Sequence, residues 1–247
     1  MAISANTLFH FTKEINLISI LKSQSFIPSY CRERFKGVIP SGSYYAKCLI
    51  PMVSFCDLTL TQVGVKHVRQ FGKFGIGLKK EWGESRKVSP VLYVHNNSNS
   101  AHQINSVFNE VKKLNKGFQT KYVNLNEEML RLFMFLKPYR SYYQKDRKQK
   151  KYITHYNEKE WRYVPNNNEL KIIPFGDSEG IDHMRRLIKN SSENLFFNYS
   201  DIKYLIVDSD KSINNFVKEI RKLKATPALK NQLITKIITL NEIDEDF

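Results

Sequence analysis

Two periods, one of strands and one of helices, divide the chain into short segments. "TLFHFT" (7–12) is rich in β-formers and predicts a first strand. Ile15, Ile18 and Leu21 then recur at helical spacing, with Leu17 and Ile20 widening the apolar face. Residues 28–51 are polar, punctuated by Pro and Gly, and read as irregular. "PMVSFCD" (51–57) has the character of a buried strand, and 59–72 reads as a helix ending at Gly72. "FGIGL" (74–78) and "PVLYVH" (90–95) read as two further strands.

The period changes beyond residue 98. Ile104, Val107, Phe108, Val111 and Leu114 fall on one helical face. Asn126 reads as the N-cap of a second helix, with Glu127 and Glu128 in its first turn. Met129, Leu132, Phe133 and Leu136 form its stripe and Pro138 its stop. Residues 98–137 therefore predict a helical insertion between sheet segments. "EWRYV" and "LKIIPF" (170–175) read as a hairpin turning at "NNN" (166–168), followed by a helical patch at 179–190. At the end, "IKYLIV" (202–207), a helix capped by Ser212 and "LITKIITL" (233–240) predict a C-terminal β-α-β unit. With no repeat and no domain-splitting linker, the expectation is one α+β domain over 1–247.

Composition narrows the partners. The net charge is +15, from 39 basic and 24 acidic residues, a field that draws phosphates; a lysine-rich soluble surface would carry the same charge. The basic residues cluster in "KPYRSYYQKDRKQKK" (137–151), with seven cations against one acid. Tyrosines interleave with them, so 137–153 reads as a basic loop for a substrate or partner. Its Arg140, Tyr143, Lys145, Arg147, Lys148, Lys150 and Lys151 suit nucleic acid, and a solvated loop is the plain alternative. Cys31, Cys48 and Cys56 show no paired spacing and no HExxH occurs, so no metal site and no disulfide framework is expected. With no signal peptide and no membrane-length apolar run, the chain reads as soluble and cytoplasmic, with no membrane partner.

Three places hold candidate chemistry. In "EKEWRYV", Glu158 and Glu160 share a side if they lie on one strand. One carboxylate there would stabilise an oxocarbenium-like transition state and the other would orient or deprotonate a nucleophile; two solvated surface glutamates have the same spacing. Arg162 is a candidate partner for a phosphate or carboxylate; if 158–163 form a strand, it shares that face and pairs with one of the glutamates instead. His10 among Phe9, Phe11 and Thr12 reads as a core histidine or as a donor to a ligand hydroxyl. Ser54 in "VSFCD" satisfies its own strand end or orients Glu160. "FGKFGIG" (71–77) matches neither the Rossmann nor the P-loop pattern. His67 and Trp82, which flank it, read as packing residues or, for Trp82, as a pocket wall.

Together, "LFHFT", "IPMVSFCDLTLTQ", "FGKFGIGLKKEW" and "EKEWRYV" resemble the AbiGi family of bacterial abortive-infection proteins, over nearly the whole chain. The resemblance implies a role in phage resistance, as the antitoxin half of a two-gene system, and hence a cognate toxin or antitoxin partner. A more distant resemblance is to ADP-ribosyltransferases, including the DNA-modifying DarT-type toxins. It implies a split mixed β-sheet and NAD as substrate. His10, Phe11, Thr12 and Ser54 would then bind NAD, with Tyr45 or Tyr44 if the chain follows a His-Tyr-Glu pattern. Glu160 and Glu158 would be catalytic together with His10, and the acceptor would be nucleic acid or protein. The same resemblance leaves open a non-catalytic antitoxin or regulator that binds a toxin or nucleic acid.

Overall fold

The computed structural model describes residues 5–39, 43, 45–63, 71–117, 123–146, 149–176 and 178–246. Among them the strands are β1 (Thr7–Thr12), β2 (Ser25–Phe26), β3 (Ser29–Arg34), β4 (Lys47–Cys56) and β5 (Phe74–Lys79). β6 (Ser89–Pro90), β7 (Leu92–Val94), β8 (Leu136–Pro138), β9 (Arg140–Asp146) and β10 (Gln149–Thr154) follow. The series ends with β11 (Glu160–Tyr163), β12 (Ile173–Pro174), β13 (Leu195–Phe196), β14 (Ile202–Val207) and β15 (Ile237–Thr239). The helices are α1 (Glu14–Ser23), α2 (Lys80–Ser85), α3 (Asn99–Gly117), α4 (Val123–Phe133), α5 (Ser178–Asn190), α6 (Asp210–Arg221), α7 (Pro227–Ile234) and α8 (Leu240–Asp246).

The main sheet has the order β15-β14-β5-β1-β4-β11-β6, with β3 and β12 also paired to β4. Its pairings are antiparallel except β14 with β15, which are parallel. The class is therefore α+β with a mixed sheet. β1 pairs with β5 along its whole length but with β4 only at Phe9 opposite Cys56. Beyond that point the two strands separate, and their separation makes room for a cleft.

Both faces of the sheet are buried, which is why strand 51–56 reads as continuously apolar. Leu8, Phe55, Ile76, Leu205 and Phe216 pack on one side, and Phe9, Phe11, Ile206 and Ile243 on the other. A third cluster holds Phe35, Ile50, Met52, Phe108, Met129 and Phe133, and ties α3 and α4 to the long β4.

The tertiary structure departs from the pattern in several places. Residues 29–34, read as irregular, form β3, whose register with Met52–Lys47 supplies the order that its polar sequence hides. In α1 the buried positions are Leu17 and Leu21, whereas Ile15 is exposed. Val107 and Leu132 are likewise exposed on α3 and α4. Asn126 lies inside α4, which begins at Val123, and residues 136–138 are a strand beyond its end. β11 and β12 do not form a hairpin: both pair with β4, which offers each a longer apolar partner. Ser209, not Ser212, precedes α6. Residues 227–234 form α7, started by Thr226 and Pro227, so the last strand shortens to β15. Of the helix expected at 59–72, residues 60–62 form a 3-10 turn and Phe71 is helical, while 64–70, with His67, lie outside the described residues. No helix among the described residues is long and apolar enough to cross a membrane.

Candidate functional site

The separation of β1 from β4 opens a cavity of about 610 Å³. His10, Phe11 and Thr12 line it from β1, Ser54 from β4, and Glu158 and Glu160 from the far side. Phe26 and Phe55 stand edge-on or tilted to the His10 ring, at 5.1 and 5.8 Å. His10 Nδ1 lies 2.9 Å from the Ser54 carbonyl oxygen, which fixes the ring across the gap. Burial lowers the His10 pKa and outweighs the opposing carbonyl contact, so the imidazole is neutral at pH 7.

The glutamates do not share a strand. Glu158 closes a 3-10 turn (His155–Glu158), Lys159 takes a left-handed φ of 42°, and Glu160 then begins β11. That turn, rather than strand alternation, brings both carboxylates to one place. Both are buried, at 5% exposure each, so neither is a solvated surface glutamate.

A buried ion network surrounds them. Lys137 Nζ donates to Glu158 Oε2 at 2.9 Å and to Glu160 Oε2 at 2.5 Å. Arg162 Nε donates to Glu160 Oε1 at 2.7 Å, and its guanidinium also reaches Glu160 Oε2 and Glu33 Oε1. Ser54 Oγ donates to Glu160 Oε1 at 2.9 Å. Glu160 therefore accepts from Ser54, Lys137 and Arg162 with both oxygens engaged. Arg162 is fully buried, and its remaining donors reach the carbonyls of Met134 and Leu136. Burial alone pushes the Glu160 carboxyl upward, but Arg162 and Lys137 outweigh it and hold the group at about 2. Glu158 is lowered as well, burial being outweighed by its His155 and Lys137 contacts. His155 Nδ1 lies 3.0 Å from Glu158 Oε1, and its Nε2 lies 2.7 Å from Ser141 Oγ on β9.

Other candidates lie elsewhere. Tyr45, two residues before β4, packs with the third cluster and lines a separate small pocket rather than the cleft. Trp82 is core, its indole donating to the Phe196 carbonyl. The basic stretch is not a loop: β9 and β10 pair as a hairpin, and Lys137 leaves it for the buried network on β8. Arg140 is exposed, Tyr143, Lys145, Lys150 and Lys151 are strand positions, and Arg147, Lys148 and Tyr44 lie outside the described residues. Burial, with Glu158 and Glu160 nearby, pushes the Cys56 thiol up to about 12, which disfavours it as a nucleophile. No group of three metal-ligating side chains occurs among the described residues.

Glu33, Lys137 and His155 belong to the site but were not legible as site residues. Glu33 sits in a strand without hydrophobic alternation, and Lys137 was submerged in the charge run. The one signal for Lys137 was its place directly after "LFMFL", an apolar run that carries it inward.

Comparison with known proteins points to one family. A family model described as abortive phage resistance protein AbiGi, antitoxin, matches residues 24–208. An abortive phage resistance protein AbiGi of Lactococcus lactis subsp. cremoris is 27% identical, over 90% of this chain and 100% of the relative. No solved structure matches the chain.

Proposed function

The chain belongs to the AbiGi family of abortive phage resistance proteins, and from that premise we propose that it acts as a non-catalytic antitoxin built around a ligand cleft. The observation that carries this reading is the neutralisation of Glu160. A carboxylate that stabilises a ribosyl cation needs an oxygen free to meet the developing charge. Here Arg162 and Lys137 occupy both oxygens. A cation about 4 Å from a developing positive charge opposes it by about 4 kcal/mol at an effective dielectric of ~20. With Glu160 so engaged, the network is better suited to holding β3, β8 and β11 together than to releasing nicotinamide. A toxin partner fits this reading and the family's description.

One observation favours a second reading, in which the protein transfers ADP-ribose from NAD. His10, Ser54, Glu158 and Glu160 line one cleft, and Ser54 donates to Glu160. In that reading NAD displaces Lys137 from Glu160, His10 holds a ribose, and Glu158 positions the acceptor.

Nicotinamide release from NAD separates the two. The expected result is no release by wild type at high protein concentration, and benign expression in cells without the partner. Release that vanishes in Glu160→Gln, with the variant still folded, would overturn the antitoxin reading and establish the transferase.

A further inference from the structure

The basic hairpin β9–β10 rises directly from the ion network. Lys137 precedes it, Glu158 follows it, and their side chains bond at 2.9 Å, clamping its base. At that base three tyrosine rings meet. Tyr156 lies 5.3 Å from Tyr93 and 5.5 Å from Tyr139, centroid to centroid. The Arg140 guanidinium lies 5.3 Å over the Tyr139 ring. Tyr156 is 50% exposed, so half of its surface is open to a ligand. Along the hairpin, Tyr142 stands opposite Tyr152 and Gln144 opposite Lys150.

We infer that the base of this hairpin, Tyr93, Tyr139 and Tyr156 with Arg140, forms a binding surface for single-stranded nucleic acid. Aromatic faces stack on unpaired bases, and the cations meet the phosphates between them. The chain's charge of +15 brings the polyanion to this surface. An acidic protein would use the cations and leave the tyrosine faces idle. A duplex would keep its bases stacked and out of their reach. The surface adjoins the cleft, because Ser141 of β9 contacts His155, which contacts Glu158. The inference does not depend on whether that cleft is catalytic.

Fluorescence anisotropy with labelled oligouridylate and oligothymidylate, over a series of salt concentrations, tests it. Binding of either oligomer is expected, with log affinity falling linearly as log salt rises. Tyr156→Ala should weaken binding by roughly 5- to 150-fold through lost stacking. Arg140→Gln should leave stacking in place and make the salt slope shallower by about 0.7. Both variants are checked for wild-type melting. The inference is overturned if polyglutamate or duplex DNA competes as well as the single strands. It also fails if neither oligomer binds at low salt, or if both folded variants bind like wild type.

Discussion

Arg162 has no exposed surface, yet it carries a full charge. It is kept in place because Glu160 and Glu33 accept from one guanidinium while Met134 and Leu136 supply carbonyls. Arg162→Met removes the cation and leaves two carboxylates underneutralised, so it should cost about 3–5 kcal/mol, measured by urea unfolding. Lysine would not rescue it, since a single ammonium cannot span the same acceptors. Glu160 makes a second, pH-dependent contribution. Its carboxyl titrates at about 2 in the fold against an ordinary 4.5. Its stabilisation is therefore complete above pH 4.5 and is lost as the pH falls toward 2. Glu160→Gln should flatten the stability profile between those values, and a variant profile as steep as wild type would show that the ion pairs lack this strength.

Elements meet at single residues that cannot be replaced freely. Gly72 precedes β5 with a φ of 133°, and a Cβ there would lie 2.0 Å from the Thr12 carbonyl oxygen. Phe71, next to Gly72 in the chain, lines the cleft. Gly72→Ala faces both the strained φ and a backbone clash, and is expected to destabilise by about 3 kcal/mol in chemical denaturation. The left-handed Lys159 is a milder case, because the turn that re-aims Glu160 uses a conformation open to non-glycine residues at a cost. Lys159→Gly should preserve or slightly raise stability, by up to about 1 kcal/mol, and leave the melting transition cooperative.

At the scale of the whole molecule, the matched family segment ends at residue 208, but the fold does not. Phe216, Ile220, Leu223 and Leu233, all later in the chain, belong to the principal cluster with Leu8, Phe55 and Leu205. β15 also covers β14, whose free edge would otherwise open the sheet to intermolecular pairing. Truncation after Asp208 should give a chain that aggregates or binds hydrophobic dye, read by light scattering and fluorescence. A soluble, cooperatively melting 1–208 fragment would show that the terminal unit is dispensable.

The sequence alone determined the elements whose period is strong: β1, the second half of β4, β5, β14 and the helices α3 and α4, and with them the α+β class. It also placed His10, Ser54 and Glu160 on strands, because residues such as Phe9, Phe55 and Trp161 flank them in extended-type runs. Local patterning carries that much because burial of a face imposes a period on neighbouring residues. It could not show β3, whose polar residues owe their order to pairing with β4. Nor could it show that Lys137 leaves a charge run to join Glu158 and Glu160, or that Glu33 meets Arg162 across 129 positions. Those contacts depend on how strands distant in sequence come together, and a charge pattern does not say which cation is carried inward. That Arg162 pairs with one of the two carboxylates was open to the sequence; that Lys137 reaches both and that Glu33 shares the guanidinium was decided by the tertiary structure.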